Sequence, residues 1–233
     1  MLIAGIWIAQ LATFAIGALG PWRDRDGSRP PLVLRMLLSA SLVLSANIIW
    51  QHAGHATAGY ARAAYIGMAL SFLGDLLMAK LIPFPNRLIG GMLAFGSAHW
   101  MYIRAYRASL AAHGVAVATP ALWFALGLYA VISVGGWWFL VRNPNKKSIV
   151  NIGALVYGAW IGVMASFAFA LGAGLGGAWW LAALGAAVFL SSDFLIGITE
   201  IRGVHLDNER GWVWATYLAG QMGIIYAPWV TGI

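Results

Sequence analysis

Four ionisable side chains lie inside long apolar stretches of this sequence, and their types could carry chemistry: Arg35, Asp75, His99 and Asp193. Each costs about 2.5 to 3.5 kcal/mol to place in hydrocarbon, so such a group is first treated as a functional candidate. Two buried carboxyl groups can act as acid and base, relay protons, or pair with Arg35 and only fix the packing. The lone histidine, His99, suits either catalysis or a packing hydrogen bond.

Two further motifs are typical of a metal site and of a serine hydrolase, but the sequence around each of them does not support that function. His52 and His55 have the His-x-x-His spacing of a metal-binding segment, but no acid lies nearby, so we predict a solvated loop and no metal site. Ser191 and Ser192 lack the Gly-x-Ser-x-Gly turn of a serine hydrolase. Ser192 is therefore expected to hydrogen-bond Asp193 or a neighbouring helix.

The composition excludes several classes of protein. The sequence contains no cysteine, which rules out thiol nucleophiles and Cys-ligated metal centres, and we expect no cofactor. Hydrophobic residues make up 61% of the chain and charged residues only 9%, far from the roughly 25% charged residues of a soluble domain. The net charge of +7 is spread singly between apolar runs, which argues against nucleic-acid binding and for membrane topology signals.

The elements that must position these side chains are transmembrane helices. Apolar runs of about 20 residues, the length that crosses a bilayer, lie near residues 2–20, 31–50, 60–79, 88–106, 120–141, 149–170, 178–199 and 212–231. Short polar links separate them, and none is long enough to fold alone. We therefore predict an all-α polytopic membrane protein of about eight transmembrane helices, with residues 1–233 forming one transmembrane domain.

The distribution of basic residues predicts how these helices are oriented. Of the 14 lysines and arginines, all but Arg62, Arg104 and Arg107 lie in or beside the odd-numbered links. Positively charged links stay in the cytoplasm, so we expect an integral protein of a bacterial cytoplasmic membrane with both termini outside. The third and seventh runs would then be parallel, with Asp75 and Asp193 in their cytoplasmic halves.

The third and seventh runs also contain similar sequences, Ser71–Leu77 and Phe189–Leu195, each with one Asp after a small residue. A four-plus-four parallel repeat about an axis normal to the membrane would explain this similarity and bring both acids toward that axis. Runs one and two do not visibly match runs five and six. The repeat is therefore one possible organisation of the bundle.

An ordered set of short motifs resembles the YhhN family of lysoplasmalogenase-like membrane proteins. The set runs from the second to the eighth run and consists of Gly74-Asp75, Ala98-His99 with Tyr102, Tyr157-Gly158, Ser192-Asp193 and Gln221. Family members usually carry Lys-Pro at the start of the second helix, where this chain has Arg29-Pro30. That replacement keeps the charge but changes the shape of the cation.

The resemblance implies a lipid hydrolase without a cofactor. Members of the family cleave the vinyl ether bond of lysoplasmalogens to a fatty aldehyde and a glycerophospho-ethanolamine or -choline, so the expected partners are a lysophospholipid substrate and bilayer lipid. Protonation of the alkenyl carbon needs a carboxylic acid, and the resulting oxocarbenium ion needs a charged carboxylate. Asp75 is expected to be the acid and Asp193, beside two serines, the charged partner, with the headgroup near Arg29 and Arg35.

Three other functions remain open from the sequence. A small transporter could use Asp75 and Asp193 to relay protons or bind a cation, because a proton relay and a hydrolytic pair need the same buried acids. A haem or quinone subunit is disfavoured because only His99 lies within an apolar run. A purely structural partner protein would leave the two acids without a purpose.

Overall fold

The computed structural model describes residues 2–20 and 30–232, and within these ranges the fold is entirely helical. Eight α-helices follow one another along the described chain: α1 Leu2–Leu19, α2 Leu32–His52, α3 His55–Met78, α4 Arg87–Ala112, α5 Pro120–Gly136, α6 Ser148–Leu175, α7 Trp180–Ile196 and α8 Glu209–Val230. Each predicted apolar run overlaps one of them. The predicted all-α fold is therefore confirmed for this part of the chain.

Six of these helices are long and apolar enough to cross a membrane: α1, α2, α3, α6, α5 with the turn that follows it, and α7 with the turns at its two ends. The other two are more polar. α4 carries three arginines, and α8 begins with Glu209 and Arg210. By length and composition, six spans rather than eight stand out.

Two of the helices begin at capping residues that can be read in the sequence. The Asn86 side chain accepts hydrogen bonds from the backbone N–H groups of Leu88 and Ile89, at 3.0 and 3.3 Å. Thr119 caps α5 in the same way and is followed by Pro120, a residue that suits the first position of a helix. Each cap marks the point at which a polar link ends and the next apolar run begins.

Two helices end in π-helical turns that pack against each other. Trp137–Val141 continues α5, and Gly197–Arg202 continues α7. A Cβ on Gly197 would lie 2.8 Å from Cγ2 of Val141, so the turns touch at a position where only hydrogen fits. Asn143 then donates from its side chain to the carbonyl oxygen of Ile201 at 2.9 Å, which ties the two turns together.

Small residues bring particular helices into close contact. A Cβ on Gly220 of α8 would lie 2.9 Å from the carbonyl oxygen of Gly185 and 2.9 Å from the backbone nitrogen of Phe189, both on α7. On α3, a Cβ on Gly74 would meet the ring of Phe95 at 2.8 Å. The glycine before Asp75 therefore makes room for an α4 aromatic side chain.

A polar side chain of α1 is buried against the bundle. Gln10 is 3% exposed, and Gly17 is the other buried residue of this helix. Its amide nitrogen donates to Oγ of Ser41 and Ser45 on α2, at 2.9 and 3.1 Å. Its amide oxygen accepts from the Tyr226 hydroxyl of α8 at 2.8 Å, so the first, second and last helices meet at this group.

Candidate active site

Both intramembrane acids line one large cavity of about 630 Å³. The cavity lies at one end of the bundle, where α3 and α7 end and where α2, α4 and α8 begin. Besides Asp75 and Asp193, its wall includes Arg35, Ser192 and Tyr217. Since each α-helical residue rises about 1.5 Å, Asp75 lies roughly 8 Å deeper than Lys80 at the rim.

Asp75 is a buried carboxylate held by two other helices. It is 6% exposed. Its Oδ2 accepts a hydrogen bond from the Ser39 hydroxyl of α2 and another, of 2.8 Å, from the Tyr217 hydroxyl of α8. The Arg35 guanidinium, one turn before Ser39, acts on the same carboxylate electrostatically.

Asp193 is more open to the cavity and has fewer partners among the described residues. Its Oδ2 accepts one long hydrogen bond, 3.3 Å, from the Tyr157 hydroxyl of α6. The neighbouring serines bond elsewhere: Ser191 donates to the carbonyl oxygen of Ala187, and Ser192 to that of Val213 on α8, 3.1 Å away. Of the two roles expected for Ser192, the structure shows the bond to a neighbouring helix.

The two carboxyl groups are close enough to interact electrostatically. Arg35 lies above the ring of Trp214, with 5.8 Å between its Cζ and the ring centroid. The Arg35 guanidinium therefore shares the cavity wall with both acids. This arrangement can hold one protonated and one ionised carboxyl group, as general acid catalysis with charge stabilisation requires.

His99 lies behind the cavity wall rather than on it. It is fully buried, with its ring 5.1 Å from that of Phe189 and 5.8 Å from that of Tyr157, measured between centroids. Neither ring nitrogen has a hydrogen-bond partner among the described residues. His99 therefore reaches Asp193 only through Tyr157, whose ring it contacts.

Two further predicted residues form a polar cluster one level deeper than the acids. The Tyr102 hydroxyl donates to Oε1 of Gln221 at 2.7 Å and lies 3.2 Å from Oγ of Ser71. All three side chains are fully buried. The cluster links α3, α4 and α8 one helical turn further from the rim than Asp75. It forms no part of the described cavity wall.

The rim of the cavity carries most of its charge. The Arg87 Nη2 atom lies 2.8 and 2.9 Å from the two carboxylate oxygens of Glu200, which joins the start of α4 to the π-helical turn after α7. Lys80, Glu209 and Arg210 also line the cavity. Lys80 adopts a left-handed backbone conformation, with φ of 61°.

A second, apolar pocket adjoins the cavity. It has a volume of about 50 Å³ and is lined by residues of α3 to α7, among them Leu88, Met92 and Tyr157. Asp193 and Phe95 line both spaces. Asp193 therefore lies where the polar cavity meets this small apolar pocket, which is called the apolar slot below.

The sequence singled out some residues of the site but missed others. Arg29 lies outside the described residues, so its expected contact with a headgroup stays a prediction. Ser39 and Tyr217 were missed. Ser39 lies four positions after Arg35, and Tyr217 lies four positions before Gln221. Since residues four apart share a helix face, that spacing is the signal that could have found them.

Comparison with known proteins identifies the chain at the level of a family. The sequence profile of the YhhN family matches residues 31–227, which include α2 to α7 and most of α8. No curated protein and no solved structure matches the chain. In the described part of the chain, no three His, Cys, Asp or Glu side chains are grouped as metal ligands.

Proposed function

The chain belongs to the YhhN family, and from that premise we propose that it is a membrane-embedded ether hydrolase that cleaves lysoplasmalogens. Its products are a fatty aldehyde and a glycerophospho-ethanolamine or -choline. The observation that carries this proposal is the presence of Asp75 and Asp193 on the wall of one cavity. The reaction needs two carboxyl groups within reach of one substrate.

The proposed reaction consumes one water molecule. A carboxylic acid donates its proton to the alkenyl carbon remote from the ether oxygen, while the oxygen lone pair forms the C=O bond of an oxocarbenium ion. Water adds to the carbon of this C=O bond, the one attached to the ether oxygen, and gives a proton to a carboxylate. The hemiacetal then breaks its bond to the glycerol oxygen, which takes up the proton, and the aldehyde is released.

The hydrogen-bond donors favour an assignment of the proton donor and the charged partner that is the reverse of the one expected from the sequence. Asp75 accepts from Ser39 and Tyr217, and two donors stabilise an ionised carboxylate. Asp193 accepts one long bond and lies beside the apolar slot. We therefore assign Asp193 as the proton donor and Asp75 as the charged partner, because the alkenyl chain would enter the slot next to Asp193.

The membrane arrangement belongs to the same proposal. α4 and α8 would complete eight spans, with the rim of the cavity in the cytoplasm and both termini outside. The contact pattern supports a four-plus-four repeat, since α2 packs against α8 and α6 packs against α4. The repeat would relate Asp75 to Asp193.

The test is aldehyde release by the purified protein in detergent, where no ion gradient exists. Wild-type protein should release aldehyde from lysoplasmalogen and none from an alkyl ether analogue. Asp75→Asn and Asp193→Asn keep the shape of the side chain, and each should lower kcat by about 10² to 10⁴. Normal turnover in both variants would contradict the mechanism, and absent turnover in the wild type would favour the transporter.

A further inference from the structure

We propose that the rim of the cavity is a phosphate-binding subsite in which Lys80 and Arg87 hold the headgroup phosphate of a single-chain lipid. This inference rests on the proposed function for its substrate but names residues that the proposed mechanism does not use. Within the described chain, four cationic residues line the cavity. They are Arg35, Lys80, Arg87 and Arg210.

The backbone of Lys80 supplies the first independent observation. Its φ of 61° places it in the left-handed region, directly after the last turn of α3. Glycine is the usual residue at such a helix end, because a side chain is strained there. Lys80 therefore places a charged side chain on the cavity wall at a position where the turn by itself would favour glycine.

The Arg87–Glu200 pair supplies the second observation. One guanidinium nitrogen, Nη2, lies 2.8 and 2.9 Å from the two oxygens of the Glu200 carboxylate, so Arg87 already holds an anion at the rim, and a guanidinium also binds phosphate. The pair is about one-third exposed on each side, so exchanging its carboxylate for a phosphate costs little. The Glu200 carboxylate therefore marks the position on Arg87 that a headgroup phosphate would take.

The position of the two residues fits an amphiphile of limited size. Lys80 and Arg87 both line the rim, and Lys80 lies roughly 8 Å from the level of Asp75. The apolar slot begins at Asp193. A ligand with an anionic head at the rim and the first carbons of one apolar chain in the slot would place the bond between them against both acids.

Binding of two lipids by the purified wild-type protein tests the subsite without depending on hydrolysis. The probes are an alkyl lysophosphatidylethanolamine, which lacks the vinyl ether, and an alkylglycerol of the same chain length, which lacks the phosphate. We expect the phospholipid to bind about tenfold more tightly, because hydrogen bonds to a charged group add that much. Equal binding of the two lipids would overturn the proposal.

Substitutions of Lys80 and of Glu200, with one control variant, test the subsite. Lys80→Gly relieves the backbone strain and removes the charge, so it should keep or raise Tm while weakening phospholipid binding about tenfold. Asn208→Gly, at the other left-handed non-glycine residue (φ of 51°), is the matched control and should leave binding unchanged. Glu200→Gln should strengthen phospholipid binding several-fold. Unchanged phospholipid binding by Lys80→Gly would overturn the role of Lys80.

The remaining outcomes separate this proposal from the proposed function. If the phospholipid preference depends on Lys80 but no aldehyde forms from lysoplasmalogen, the subsite stands and the hydrolase fails. If aldehyde forms equally well from a phosphate-free alkenylglycerol, the hydrolase stands and the subsite fails. If inorganic phosphate alone competes as strongly as the lipid, the rim binds small anions and the assignment to a lipid headgroup is wrong.

Discussion

The two carboxyl groups differ in the hydroxyl groups that face them within the described chain. Tyr217 and Ser39 donate to Asp75, whereas Tyr157 alone donates to Asp193. If Asp75 acts as the charged partner, these donors keep it ionised and correctly oriented. If it acts as the acid, the same donors would oppose protonation, so removing them would help the reaction.

Removing one donor therefore distinguishes the two assignments. Tyr217→Phe should lower kcat about tenfold with little change in KM, because the charge that stabilises the oxocarbenium ion is less well held. Tyr157→Phe, the matched variant at Asp193, should have a smaller effect. The measurement is aldehyde release at saturating substrate. A higher kcat in Tyr217→Phe would reverse the assignment.

His99 should matter less than either acid. Since it touches Tyr157 but lines no described part of the cavity, His99→Gln can disturb Asp193 only indirectly. We expect a loss of less than about tenfold in kcat, with Tm measured alongside. A loss as large as that of Asp193→Asn would place the imidazole in the reaction itself.

At this scale the sequence predicted which residues are candidates but not their partners. Ionisable groups in apolar runs are conspicuous because hydrocarbon disfavours them, so Asp75 and Asp193 could be found directly. Ser39 and Tyr217 are ordinary residues in membrane helices and become meaningful only when α2 and α8 are seen to pack around α3. The directions in which Ser191 and Ser192 bond depend on the same packing.

The contact between α7 and α8 brings the two backbones together at glycines, where no larger side chain fits. Gly220→Ala would push a methyl group against Gly185 and Phe189 backbone atoms, which cannot rotate away. We expect a loss of about 1 to 3 kcal/mol of stability, seen as a lower Tm in detergent. Activity should fall with it, since α7 carries Asp193 and α8 carries Tyr217.

The control for that variant is a glycine with open space around it. A Cβ added to Gly127 of α5 would have no neighbouring atom within 4 Å. Gly127→Ala should leave Tm unchanged or slightly higher, because alanine favours the helix by up to about 1 kcal/mol. If both variants lower Tm equally, the effect comes from helical glycine in general and not from the α7–α8 contact.

Helix positions could be predicted from apolar runs and caps, but the π-helical turns could not. The run predicted to end near residue 199 continues as a wider turn to Arg202, which carries Glu200 to the rim of the cavity. Such a turn depends on its neighbour, here Val141 against Gly197. Nothing in the local sequence of α7 marks it.

For the molecule as a whole, the position of the basic residues makes a topological prediction. A reporter that works only outside the cytoplasm should be active when fused after Ile233, because the lysines and arginines concentrate at the other end of the bundle. The same reporter in the link that contains Lys146 should be inactive. A cytoplasmic C-terminus would move the cavity to the outer leaflet.

The class of the molecule followed from composition, whereas the number of spans did not. Apolar content is enough to predict a helical membrane protein because lipid requires internally bonded backbone. α4 and α8 are harder to assign, since arginines and polar groups that face a cavity or a rim lower the apolar content of a helix. The cavity itself arises from five helices together and has no counterpart in any one run.

The hydrogen bonds of Gln10 also bear on how the chain is made. α1 enters the membrane first, and its amide gains Ser41 and Ser45 as partners once α2 follows. Its oxygen gains its partner only when Tyr226 of α8 has been synthesised, well after α2. Until then an acceptor remains unsatisfied in lipid, where each such group costs energy. The amide thus couples α1 to α8 and disfavours fragments that stop short of α8.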